Sequence, residues 1–272
     1  MTRRYLFGPV GRAFADQFLA GPRGRGECLA FGAEGADLAV EPGDTWAKIT
    51  TRFPASWKPD FVALYLPYVS VPRWLFAAPV PIIALAPDWP LLWHSFRRRL
   101  KSCELALTDP AGVEVLQREG IVHARAANLH GCEQALLNDE CEGARDIDIL
   151  FVGNTNPAVQ PKRLPWLMRL ARLAKNRRVM IRAGVFGDAY RRLLRRAKIV
   201  FSFVEYDRPS RRHAEATASG AVLFEHVQRA DDIAPLRDRE SCVLYDDDNL
   251  EALLEHYLDD DAARGKIATA AR

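Results

Sequence analysis

The chain has 272 residues, 49% of them hydrophobic and 27% charged, which suffices for one large soluble domain or two modest ones with real cores. A formal net charge of +3 excludes a polyelectrolyte and suits an anionic small ligand in a local pocket, so nucleic acid is not expected as a partner. Five scattered cysteines (Cys28, Cys103, Cys132, Cys141, Cys242) and six histidines show no CxxC pair and no metal-ligand spacing; the expectation is no metal and a reducing, cytoplasmic setting.

Along the chain, short apolar runs alternate with helix-like segments, the signature of βαβ units and parallel sheets. Tyr5-Leu6-Phe7 reads as a strand ending in Gly8-Pro9-Val10-Gly11 and is too short for a signal-peptide core. Arg12 to Leu19 has helical spacing, Glu27 to Gly32 reads as strand, Thr45 to Arg52 as helix and Asp60 to Leu66 as strand. The apolar tract from Leu75 to Leu92 is broken by prolines and Asp88, so no transmembrane segment is expected. Within it Pro81 to Leu85 is a strand. Leu105 to Thr108 is another, after which Asp109-Pro110 opens a helix to Glu119 with an aspartate cap and proline in the first turn. Asn138 to Arg145 reads as a linker, which predicts an N-terminal domain over 1–143 and a C-terminal one over 144–272.

The second half repeats the alternation. Ile147 to Gly153, apolar but for Asp148, is a strand of the buried parallel type, followed by a helix over Leu164 to Leu173 and a strand over Arg178 to Arg182. Asp188 to Arg196 is amphipathic, with Arg191, Arg192, Arg195 and Arg196 on a solvated face. Lys198 to Val204 is strand, Ser210 to Ser219 helix, Ala221 to Glu225 and Ser241 to Tyr245 strands, and Asn249 to Leu258 a last helix.

The densest chemical signal is Arg211-Arg212-His213-Ala214-Glu215-Ala216-Thr217-Ala218-Ser219-Gly220-Ala221-Val222-Leu223. Ser210 suits the N-cap of this helix, whose free N–H groups and partial positive charge attract phosphate. Arg211 and Arg212 add guanidinium groups able to grip a diphosphate, and Glu215, one turn further, offers a carboxylate to the hydroxyls of a ribose.

At these residues the chain resembles the nucleotide-sugar glycosyltransferases of the GT-B fold, which carry E-A-x-A-x-G-x-P/L-V here, and in particular the CgeB-type (spore-maturation-like) family. The resemblance extends in order through Asp146 to Asn154, Lys162-Arg163, Gly184-Val185-Phe186-Gly187, Lys198 to Phe203 and the Val243-Leu244-Tyr245-Asp246-Asp247 turn. It implies an α/β chain of two Rossmann-like domains facing across a cleft, with a nucleotide-sugar site in the second. Carried over residue by residue, Glu215 would hold the ribose and Arg212 the diphosphate, with Arg211 beside it as a second ligand or a solvated charge. Gly153 and Asn154 with Lys162 or Arg163 would border the phosphates, and Gly184 to Gly187 would lie beside the base. A nucleoside diphosphate sugar is then the donor, UDP ahead of GDP, with no cofactor. Many retaining members have a glutamate eight positions before the ribose-binding one; here Asp207 stands there and leaves the stereochemistry open. Members commonly close with a long C-terminal helix, of which Ala262 onward would be a trimmed end or a remnant.

The first half resembles the family loosely. Asp88, after the Pro81–Leu85 strand, would face the cleft as a general base towards the acceptor hydroxyl; between Pro87 and Pro90 it equally suits a turn. Gly8 and Gly11 also suit a plain strand-to-helix turn, and His213 and His226 a packing role. The function implied is transfer of a sugar to an unidentified acceptor. The alternatives are a nucleotide-sugar-binding or partner-binding module without transfer, and an enzyme directed to DNA or RNA.

Overall fold

Strand-length apolar runs and the helices between them build two parallel sheets, the alternation that the sequence predicts. The structure, a computed structural model, describes residues 2–32, 35–66, 71–87, 89–90, 93–138, 143–204, 210–228 and 236–272. By contact density the chain divides into two compact units, Met1–Leu129 and His130–Arg272.

The first unit contains β1 (Tyr5–Gly8), α1 (Arg12–Phe18), α2 (Ala20–Gly24), β2 (Cys28–Gly32), β3 (Leu38–Ala39), α3 (Trp46–Thr50) and β4 (Phe61–Tyr65). A 3-10 turn (Arg73–Ala77) leads to β5 (Ile82–Leu85), α4 (Trp93–Leu100), β6 (Leu105–Thr108), α5 (Pro110–Arg118) and β7 (Ala124–Ala126). The strands lie in the order β3-β2-β1-β4-β5-β6-β7, so the chain grows in one direction from β1 through β2 and in the other through β4. Leu6, Val62, Leu64, Ile82, Ala84 and Ala106 form the centre of its core. The cap of α5 is the one the sequence predicts: Asp109 Oδ1 accepts the Gly112 N–H at 2.7 Å, with Pro110 in the first position.

The second unit runs α6 (Gln134–Asn138), β8 (Ile147–Val152), α7 (Arg163–Leu173), β9 (Val179–Arg182), α8 (Gly187–Arg196), β10 (Ala197–Phe201), α9 (Arg211–Ala218), β11 (Val222–His226), β12 (Val243–Tyr245), α10 (Leu250–Asp259) and α11 (Asp261–Ala271). Its parallel order is β12-β11-β10-β8-β9, with the reversal between β8 and β10. Ile149, Leu150 and Phe151 of β8 are fully buried, as a strand covered on both faces requires.

The residues after Asp260 form a capped helix: Asp260 Oδ1 accepts the Ala263 N–H at 2.8 Å, and Ile267 joins the core of its own unit. One expectation changes. The arginines of α8 are not a purely solvated face. Arg196 pairs with both oxygens of Asp146, Arg191 pairs with Glu133, and Arg195 Nη2 donates to Ala135 O at 2.7 Å, so they fasten α8 to the 133–146 segment.

Candidate functional site

In open parallel sheets, crevices form at the carboxyl ends of the strands where the order reverses, which in the second unit is the β8/β10 junction. Helix α9 begins there. Ser210, its N-cap, accepts the Arg212 N–H on Oγ at 3.2 Å. The Arg212 side chain reaches over both strand ends, with Nη2 donating to Val152 O at 2.8 Å and Nη1 to Ser202 Oγ at 3.3 Å. The guanidinium lies 5.0 Å from the Phe151 ring centre. Of its N–H groups, Nε is buried and has no partner among the described residues. A Cβ at position 153 would fall 2.8 Å from Arg212 Nη2, so Gly153 is what lets the arginine lie against the end of β8.

One turn into α9, Glu215 is 5% exposed, and both of its oxygens are engaged. Arg211 Nη2 donates to Oε1 at 2.9 Å and the Tyr190 hydroxyl to Oε2 at 2.8 Å. Burial, reinforced by the carboxylate of Glu215, holds the Tyr190 phenol above its ordinary range, so it stays a donor. Tyr190 lies on α8 one turn beyond that helix's N-cap, Phe186, and the sequence pattern gave no sign of its role. Gly184 (φ +69°) and Gly187 (φ +57°) take the left-handed conformation on either side, and Phe186 between them is 79% exposed, far more than an aromatic ring needs to be in a packed helix start.

Beneath α9 lies a buried polar chain. His213 Nε2 and Glu225 Oε2 are 2.7 Å apart, and Glu225 also accepts the His226 N–H at 3.0 Å. Burial alone would raise the Glu225 carboxyl; the hydrogen bond and charge of His213, with Ser202, bring it below its ordinary value. Tyr245, fully buried, donates its hydroxyl to Ser202 O at 2.7 Å, and Asp246 Oδ1 accepts the N–H groups of Asp248 and Asn249. The Val243–Asp247 segment therefore braces the end of β10 and shapes a turn.

Gly153, Arg211, Arg212 and Glu215 thus come together at one strand edge, joined by Tyr190. Arg163 points inward: Nε and Nη2 donate to Phe203 O at 3.1 and 3.0 Å and Nη1 to Asn154 O at 2.8 Å, so it ties the loops after β8 and β10. Lys162 and Asn154 are exposed beside it. Asp88 and Asp207, the two carboxylates expected to be catalytic, lie outside the described residues.

The profile of the glycosyl transferase-like family matches residues 125–272, more than half of the chain. The chain belongs to the glycosyl transferase-like family. Family membership therefore rests on the half that holds α9 and its surroundings. No curated protein matches this family member significantly in sequence. An α-glucosyltransferase solved with UDP and a 13-mer DNA containing an A:G mismatch is similar in structure, with a TM-score of 0.66 over 99% of this chain and 95% of that one, at 11% identity. HepE of Anabaena, solved with UDP, gives 0.59 over 100% and 93% at 13% identity. TarM gives 0.52 over 78% and 50% at 10% identity. At such identities the likeness shows the fold, which is that of the GT-B glycosyltransferases. Among the described residues, no helix is long and apolar enough to cross a membrane.

Proposed function

We propose that the chain transfers a sugar, of hexose type, from a nucleoside diphosphate donor to an acceptor hydroxyl, with UDP as the favoured nucleotide and a CgeB-type ancestry. The observation that carries this reading is the α9 N-terminus: a capped helix start, an arginine with an unengaged buried N–H, and a carboxylate one turn on, all at the β8/β10 reversal. Arg212 and the first-turn N–H groups take the diphosphate. Arg211, paired with Glu215 in the free protein, turns towards it when donor arrives, and Lys162 borders it with Gly153 and Asn154. Glu215, aligned by Tyr190, takes the ribose hydroxyls. Arg163 supports these loops without touching the donor. The Gly184–Gly187 segment offers the exposed ring of Phe186 to the base.

In the reaction the acceptor oxygen bonds to the anomeric carbon as the bond from that carbon to the diphosphate oxygen breaks. The electron pair leaves with UDP, and the hydroxyl proton passes to Asp88 as general base. The helix dipole and the arginines balance the charge of the leaving diphosphate, so on this reading transfer needs no metal. Asp207 contacts the donor sugar and bears on the stereochemical outcome. The preference for UDP follows the neighbours solved with UDP, the α-glucosyltransferase and HepE.

The test is UDP release from UDP-glucose, UDP-galactose and UDP-N-acetylglucosamine, each with and without a mixed panel of hydroxyl acceptors. One donor should be consumed faster than in buffer, and Asp88→Asn should lower that turnover by roughly a hundredfold with donor affinity unchanged. Binding of UDP with no donor consumed under any condition would make the chain a binding module instead.

A further inference from the structure

The first unit carries a cavity that donor binding leaves unused. Its volume is about 590 Å³, within the roughly 300–1,000 Å³ of small-molecule sites. It opens at the carboxyl ends of β1, β2 and β3, beside the strand from which the sheet grows in both directions, the edge where open α/β sheets bind ligands. Val10 follows β1, Val40 and Pro42 follow β3, and Val71 and Pro72 precede the Arg73–Ala77 turn; all line it. The ends of β1 and β2 meet closely here, since a Cβ on Gly32 would fall 2.1 Å from Val10 O.

The lining decides what fits. Among the described residues its side chains include no hydroxyl and no amide, so apart from Glu41 and Arg73 they offer no partner to the many hydroxyls of a sugar acceptor. Among the described residues a polyanion would meet one guanidinium, that of Arg73, and would also meet the carboxylate of Glu41. Both charged side chains are exposed and have no ion pair among the described residues, which leaves one donor group and one acceptor group for the polar end of an otherwise apolar molecule. We propose that this pocket receives the apolar skeleton of the acceptor, a fused-ring or aryl alcohol, with Glu41 and Arg73 at a polar group other than the hydroxyl that reacts. The assignment to an acceptor rests on the transferase reading above; the pocket's affinity for such alcohols does not.

The experiment is isothermal titration of the full chain with 4-methylumbelliferone and 3-hydroxyflavone, and separately with UDP, glucose and a thymidine oligonucleotide. The aryl alcohols should bind and glucose and the oligonucleotide should not. Val40→Asp, which places a charge in the pocket, and Val40→Trp, which fills it, should each weaken the alcohols at least roughly tenfold. Val40→Ala, which keeps the lining apolar, should change them by less than about threefold, and UDP binding should be unchanged in all three variants. If neither alcohol binds, if glucose or the oligonucleotide binds in their place, or if Val40→Asp and Val40→Trp bind them as the native chain does, the proposal is wrong. Alcohol binding without UDP binding overturns the donor reading alone; UDP binding without alcohol binding overturns the pocket assignment alone.

Discussion

Replacing Arg212 by alanine separates a phosphate ligand from a strut, because the side chain has both opportunities. In the free protein it holds Val152 O at 2.8 Å and Ser202 Oγ at the longer distance of 3.3 Å, and lies over Phe151. Losing one good charge-assisted bond and the ring contact costs about 2 kcal/mol, which a domain with a net stability of about 5–15 kcal/mol survives. The binding effect adds to this. A guanidinium contact to a diphosphate contributes on the order of 1.5–3 kcal/mol, a roughly tenfold to 150-fold loss of affinity. Isothermal titration of native chain, Arg212→Ala and Arg212→Lys with UDP, UMP and uridine measures it, with urea unfolding as the check on folding. UDP should weaken by that factor, UMP less and uridine not at all. Lysine should restore part of the loss, since it supplies the charge without the planar fork. Equal weakening of UDP and uridine would mean that Arg212 only braces the strand ends, and unchanged UDP binding would remove it from the phosphate site.

Three further outcomes follow from the same geometry. Glu215→Gln removes the ion pair with Arg211 and should weaken UDP roughly tenfold but 2′-deoxy-UDP much less; equal losses in titration would take the ribose from Glu215. Phe186→Ala, at a ring 79% exposed, should leave the melting point unchanged and weaken UDP about tenfold, with inorganic pyrophosphate binding as before; unaltered UDP affinity would mean that the base does not stack there. Burial first, then the charges of Arg211 and His213, hold the His130 imidazole down to about 4 from an ordinary 6.5. The unfolded chain therefore binds a proton that the folded chain refuses, and stability falls by roughly 1.4 kcal/mol per pH unit as the pH drops through that window. Urea midpoints of His130→Leu should lose that part of the slope; an unchanged slope would place the acid sensitivity elsewhere.

Much of the fold was legible because its strands are long enough to carry a pattern. Ile149 to Val152 is apolar on both faces and reads as a covered parallel strand at sight, and Asp109-Pro110 announces its helix through a cap that forms as expected. Several of the elements that escaped are short: β3 has two residues and β7 three, too few to carry a repeated pattern. Within the site, the α9 residues were readable because cap, arginines and glutamate stand close in sequence. Tyr190 was not, since its partner Glu215 is 25 positions away and only the packing of α8 beside α9 joins them. The inward turn of Arg163 was equally hidden: in sequence it stands beside Lys162 as another cation, and only the fold brings the Phe203 and Asn154 carbonyls to it.

Whether the α9 edge holds a nucleoside diphosphate is the central claim, and thermal melting of the native chain with UDP, GDP, TDP, ADP and CMP tests it most directly. At a hundredfold excess over its dissociation constant a ligand adds about 2.7 kcal/mol by mass action. For a chain of this size that raises the melting point by roughly 5–10 °C. UDP should give the largest shift, the other nucleoside diphosphates smaller ones and CMP the least. If no nucleoside diphosphate moves the melting point at millimolar concentration, the site at the β8/β10 reversal is not a donor site.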